Sequence, residues 1–208
     1  MEPRLLTGIN VSDSEIKSLP LIQRRKLLGY LVPAVNIPLF LYNVYQTIQH
    51  FQTGMVIGSQ IFWEDIVVLI STLFMTIAIP RFFPVYQSKY YLKGNALEMK
   101  RLLRKTVSIA YKDIDRVEVY IRADEEISKE STEYATDQSA LLRKSGFRFI
   151  DYTNAEDVIM NLFVEKTIYM ISPEKPKVLL KELKRNNKRL TARIVELTQR
   201  GKRIQDLS

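Results

Sequence analysis

The sequence predicts a membrane-inserted α-hairpin followed by an α+β domain in which seven antiparallel strands form a barrel or sandwich closed by one long C-terminal helix. Three observations lead there. Two uncharged apolar stretches, residues 27–48 and 66–80, precede Tyr86. Beyond Tyr86 the apolar residues alternate, as in half-buried strands. From Pro173 onward they recur at spacings of three, four and seven, as along one face of a helix.

Residues 66–80, IVVLISTLFMTIAIP, carry no charge and meet no strong breaker before their last residue. With flanks 61–65 and 81–86 they reach the roughly 20 residues needed to cross a hydrocarbon core. Residues 27–48, LLGYLVPAVNIPLFLYNVYQTI, are equally uncharged. Pro33 and Pro38 each remove a backbone donor there, which a membrane helix tolerates when neighbours satisfy the freed carbonyls. Asn36, Asn43 and Gln46 fall near one helical face, so that face is expected to meet the other helix or another subunit rather than lipid. The connection 49–65 has no Lys or Arg, whereas Arg24, Arg25 and Lys26 on one side and Arg81 and Lys89 on the other flank the pair. The positive-inside rule then places both termini in the cytoplasm of a multi-pass protein of the cell membrane. Phe62 and Trp63 are expected at the outer interface, and Tyr30, Phe82, Phe83 and Tyr86 at the inner one.

Residues 1–26 contain Glu2, Asp13 and Glu15 and no apolar run, unlike a signal peptide. Ser12 and Glu15 have capping-box spacing, predicting a short surface helix that Pro20 stops near Leu19.

Charge is uneven. Of the 31 Lys and Arg, five precede Leu27, none lies between Leu27 and Pro80, and 26 follow Pro80. Of the 23 Asp and Glu, 18 follow Pro80, so this last region carries the whole net charge of +8. A basic domain beside a bilayer suggests anionic headgroups or, less readily, nucleic acid as partner. The absence of Cys excludes disulfides, zinc–thiolate sites and a thiol nucleophile. His50 is the single histidine. With no phosphate-binding glycine loop, no metal-ligand spacing and no Ser/His/Asp set, neither catalysis nor a cofactor is expected. Asp113 and Asp115 read as turn residues at a strand break. Glu64 and Asp65 read as topology and helix N-terminal charge, although an ion site there is conceivable.

Strands are expected over 89–93 and 96–102 about a Gly94-Asn95 turn, then over 106–111, 115–122, 146–152, Val158–Val164 and 167–172. The polar stretch 123–145 is expected to hold a turn of acidic helix. The final helix is expected from Pro173 to about Arg200, with Gly201 ending it and Val178, Leu179 and Leu183 facing the core.

Three segments, KYYLKGNALEMKR, SIAYKDIDRVEV and VIMNLFVEKTIYMISPEKPKVLLKEL, resemble the membrane-anchored prokaryotic pleckstrin-homology-like (PH-like) proteins. The last is the most specific: two strands, then Ser-Pro-x-x-Pro opening a capping helix. The resemblance covers 66 to about 185 and departs in the insert 123–145 and in the basic extension past Arg185. It implies a PH-like barrel capped by a helix, with no activity attached, since that fold hosts lipid binders, peptide binders and scaffolds alike. The domains expected are an N-terminal segment 1–26, a hairpin 27–86, a PH-like domain 87–185 and a basic helical extension 186–208.

Two turns share the string Leu-Leu-Arg-Lys. If the second span feeds the first strand, the second strand returns to the bilayer and the turn after it lies at the membrane; the insert after Arg122 starts there too. Arg101, Arg104, Lys105, Arg143 and Lys144 are therefore the candidate headgroup contacts, with Leu102, Leu103, Leu141 and Leu142 dipping into the interface. Eleven Lys and Arg from Lys175 to Arg203 face only two acids. Lys181, Lys184, Arg185, Lys188, Arg189 and Arg193 are accordingly candidates for a basic helix that meets a partner or a second copy. The functional expectation is a non-enzymatic membrane protein holding its domain at the inner leaflet as a lipid-contacting or partner-binding scaffold, oligomeric or part of a larger complex. The alternative is a ribosome or RNA docking factor using the basic helix.

Overall fold

A computed structural model describes residues 14–122 and 129–207 of the chain. These fall into two units. One comprises Leu21–Gln87 with the turn Leu102–Arg104; the other comprises the residues up to Pro20, Ser88–Arg101, and those from Lys105 onward.

The first unit is a helical hairpin. Helix α1, Gln23–Gln52, keeps its course through Pro33 and Pro38. At 1.5 Å per residue it is about 45 Å long, more than the roughly 30 Å of a hydrocarbon core. Helix α2, Gln60–Phe82, starts where the Ser59 side chain accepts the Phe62 N–H at 3.3 Å. Both are long and apolar enough to cross a membrane. Gly29 is buried because the chain after α2 passes close by: a Cβ there would lie 2.7 Å from the Val85 carbonyl oxygen. The polar face of α1 places Asn43 inward, its Nδ2 without a partner among the described residues. Gln46 instead donates to the Tyr42 hydroxyl at an exposed position.

The second unit holds two sheets. Strands β1 (Ser14–Ile16), β2 (Ser88–Leu92), β3 (Ala96–Arg101) and β4 (Val107–Ala110) form a four-stranded antiparallel sheet in that order. The other sheet contains β5 (Arg116–Arg122), β6 (Arg148–Asp151), β7 (Val158–Val164), β8 (Thr167–Ile171), β9 (Thr191–Thr198) and β10 (Gly201–Leu207), ordered β10-β9-β5-β7-β8-β6. Helix α3, Lys129–Lys144, packs against β9 and β10. Helix α4, Pro176–Asn186, follows β8. One core joins both sheets and α4: Tyr90, Leu97 and Met99 from the first, Val117, Met160 and Ile194 from the second, and Leu179, Leu180 and Leu183 from the helix.

This architecture corrects the expected one. Among the described residues, ten strands in two sheets replace a seven-stranded barrel, and the larger sheet is mixed, because β5 pairs β9 and β6 pairs β8 in parallel. The PH-like fold therefore does not hold. The long C-terminal helix ends at Asn186, so the basic helical extension is instead a β-hairpin. Asn187 turns the chain there, its Nδ2 donating to the carbonyls of Tyr111 and Ile114 at 2.9 and 3.0 Å. Thr191, Ile194, Val195 and Thr198 then favour a strand. Ala192 and Ile194 face the core, while Val195 and Leu197 are buried on the opposite face. Gly201, φ +124°, forms the turn to β10 rather than a helix end. Val178 is not core-facing; it is exposed, and Leu180 takes the buried place.

The N-terminal helix is also corrected. Ser14–Ile16 is strand β1, paired with Tyr90–Leu92 of β2. The Ser12-Asp13 part of the expected capping box lies outside the described residues, as do residues 123–128 of the acidic insert. The rest of that insert is largely the helix α3, which ends at Lys144, with Gly146 at φ +83° in the turn that follows.

Candidate membrane-contact site

The turn between β3 and β4 sets two leucines at its tip. Leu102 and Leu103 are 61% and 56% exposed. Leu103 holds φ +59°, a left-handed conformation costly for a residue with a Cβ and often associated with a functional constraint. Arg104 is half-buried and Lys105 exposed beside them. Residues 102–104 belong to the same compact unit as the two apolar helices.

Arg101, expected at the same surface, turns inward and is buried. Its Nε donates to Ser88 Oγ at 2.9 Å, and its two terminal nitrogens donate to the carbonyls of Asp151 (2.9 Å) and Thr153 (3.1 Å). Its guanidinium also lies 5.3 Å from the Tyr152 ring centre. Next to it, the Asn154 side chain holds both chain segments that lead to and from the hairpin. Its Oδ1 accepts the Ser88 N–H at 2.7 Å, and its Nδ2 donates to the carbonyls of Ser88 (3.0 Å) and Leu19 (3.1 Å). The Tyr90 hydroxyl donates to the Tyr152 carbonyl at 2.7 Å and accepts from Ser172 N–H at 3.1 Å. Burial pushes the Tyr90 phenol above its ordinary pKa, so it stays a neutral donor. The result is a densely hydrogen-bonded polar node within the β unit. Sequence reasoning missed Asn154, which carries no motif.

The two Leu-Leu-Arg-Lys strings are not brought together. The neighbours of Arg101, Asp151 to Thr153, lie at the C-terminal end of β6, and the Tyr152 hydroxyl donates to the Lys105 carbonyl there at 2.8 Å. Leu141 to Lys144 close α3 and lead into the N-terminal end of β6, with Gly146 and Phe147 N–H bonded to the carbonyls of Arg143 and Leu142. Leu141 is exposed and Leu142 half-buried; Arg143 stacks 5.3 Å from the Phe149 ring centre, and Lys144 is exposed.

Nor do the six cations expected on one basic helix share a face. Lys181, Lys184 and Arg185 lie on α4, Lys188 and Arg189 in the following loop, and Arg193 on β9. Lys184 Nζ donates to the Leu207 carbonyl at 3.1 Å, Arg185 pairs with Glu182, and Arg193 Nε pairs with Asp206 Oδ1 at 2.6 Å. Lys181, Lys188 and Arg189 are exposed.

At the other end of the hairpin, His50 Nδ1 lies 2.8 Å from Asp65 Oδ2, joining α1 to α2. Among the described residues no three His, Asp or Glu side chains cluster as a metal site. Comparison with protein-family models, with curated proteins and with solved structures finds no match to this chain. Its function must therefore be read from its own residues.

Proposed function

We propose that this protein is a non-enzymatic, two-span membrane protein that holds its β unit at the inner leaflet of the cell membrane, where the β3–β4 turn contacts anionic lipid. The observation that carries this reading is that turn: two adjacent exposed leucines, one in a left-handed conformation, grouped with the apolar helices and followed by Arg104 and Lys105. Leucines at such a tip enter the headgroup–acyl boundary, and basic neighbours meet lipid phosphates. Arg101 is no longer part of the contact; it fixes the end of β3 from which the turn projects.

The test uses the absence of native cysteine. Leu102→Cys and Gly94→Cys, each carrying an environment-sensitive fluorophore, are compared in full-length protein reconstituted into anionic nanodiscs. Gly94 lies in the β2–β3 turn, at the opposite end of β3 and about 20 Å away along the strand. Headgroup-linked quenchers should quench the label at position 102 and leave that at 94 bright. Equal quenching at both positions would refute the contact.

A further inference from the structure

A groove of 480 Å³ opens between strand β1 and helix α4, within the β unit. We propose that it binds an extended, acidic peptide segment of a partner protein, which adds to the outer edge of β1. This surface is distinct from the lipid-contacting turn and does not depend on it.

The backbone argument comes first. Strand β1 is the edge of its sheet, paired on one side only. Beyond β1 the chain continues alongside residues 172–174: Glu174 N–H bonds the Lys17 carbonyl at 2.9 Å, and Leu19 N–H bonds the Ser172 carbonyl at 3.0 Å. Backbone groups alternate sides along a strand, so Lys17 and Leu19 point away from β2. By the same alternation Glu15 does too, two residues earlier, where no described strand continues the pairing. Its N–H and C=O face the groove. An incoming strand would extend, past Lys17, the line of pairing that residues 172–174 already make. Main-chain bonds of this kind supply affinity, and pockets for alternate side chains supply specificity.

Side chains then set the chemistry. Ile16 and Leu92, which pack on the core, and Leu179 form an apolar floor. Val178, exposed at 56%, stands on the α4 wall. The two acids lining the groove are already engaged, Glu15 with Lys89 at 3.8 Å and Glu182 with Arg185. Lys17 and Lys175 enter no ion pair among the described residues, and the first turn of α4 has no acidic side chain. The groove therefore presents positive charge around an apolar floor, and an extended segment alternating acidic and β-branched residues complements both.

The experiment uses the full-length protein in nanodiscs and two fluorescein-labelled heptapeptides, one alternating aspartate with valine, the other lysine with valine. Fluorescence anisotropy should show binding of the acidic peptide and not of the basic one. Val178→Asp, at an exposed position, and the pair Lys17→Glu with Lys175→Glu should each weaken the acidic peptide about tenfold or more. The charge-reversed pair should also gain binding of the basic peptide, a gain that misfolding would not produce. No binding by the acidic peptide, or equal binding to every variant, overturns the proposal. So does binding that appears only after residues 2–13 are deleted, because the chain's own N-terminal segment would then be the occupant.

Discussion

Replacing Arg101 by methionine separates a structural from a lipid-contacting role for this residue. The side chain is 6% exposed and donates three hydrogen bonds, to Ser88 Oγ and to the carbonyls of Asp151 and Thr153. Methionine keeps much of the volume and removes every donor. Each charge-assisted bond is worth about 1.5–3 kcal/mol, but burying the guanidinium has already cost several kcal/mol, so the sum of the three overstates the loss. Removing the guanidinium leaves three neutral acceptors, the Ser88 hydroxyl and two carbonyls, without their donor at about 1–3 kcal/mol each, so a loss of about 3–5 kcal/mol is expected. That corresponds to roughly two to three and a half orders of magnitude in a local opening equilibrium. Hydrogen exchange of the full-length protein in nanodiscs reads this directly in amides of residues 88–101 and 151–155. Lys105→Ser, at an exposed position, should change the same amides by less than about 0.5 kcal/mol. Arg101→Lys should recover little, because a lysine cannot fork to three acceptors. Unchanged exchange in Arg101→Met would refute the inward role and return Arg101 to the surface set.

Four further outcomes follow. Leu183→Ala, at a position 1% exposed on the core-facing side of α4, should destabilise the β unit by about 2–5 kcal/mol in denaturant titration. Glu98 is held below the ordinary carboxylate range first by its bond to Lys100 (2.6 Å) and then by that to Lys93 (2.8 Å). A depressed folded pKa adds stability above the unfolded value near 4.5, lost as pH falls through the folded one; Glu98→Gln should therefore flatten the acid limb of the stability profile below that pH. His50→Ala and Asp65→Ala should be non-additive in hairpin stability by about 1 kcal/mol in a double-mutant cycle, and additivity would show that the 2.8 Å contact carries no coupling. With an impermeant thiol reagent on intact cells, a cysteine at Thr53 should label and one at Ser208 should not; the reverse would overturn the orientation.

What the sequence revealed depended on how local the determinant is. Residues 115–122, DRVEVYIR, alternate cleanly and contain strand β5, and the apolar run Val158–Val164 matches strand β7 at both ends. The Gly94-Asn95 turn and the start of β3 at Ala96 follow from turn chemistry. The apolar stretches around Pro33, Pro38 and Ile66–Ile79 are the two long helices, since length and lack of charge require no partner to be recognised. Strand β9 was hidden because it is buried on both faces, which removes the alternation that marks a half-buried strand. Leu190, Ile194 and Leu197 then mimic a helix by their spacings of four and three. The β-branched residues and Gly201 were the available counter-signal. Strand β1 was hidden differently: its partner β2 lies more than 70 residues on, so no local pattern carries it. At the site, Leu102 and Leu103 were legible from composition. Arg101 was misplaced because a one-residue step along β3 turns a side chain from the surface to the interior.

The pairing of β1 with β2 also constrains how the chain can lie in a membrane. Ser14 opposes Leu92, and Ile16 opposes Tyr90, on adjacent antiparallel strands. Asn154 ties Leu19 to Ser88 at the ends of those segments. Hydrogen-bonded strands occupy one compartment, so residues 14–19 and 88–92 lie on the same side of any bilayer. Everything between them, including both apolar helices, must then cross an even number of times. One helix cannot span while the other stays outside without tearing β1 from β2, which would expose the edge of β2 and leave Asn154 without the Leu19 carbonyl. Two spans satisfy this parity, as does none, and in the proposed two-span arrangement the distribution of Lys and Arg selects the side of the sheet. In this topology the hairpin is an excursion between two neighbouring strands of one sheet. The strand before it is as much a part of the β unit as the strands after it.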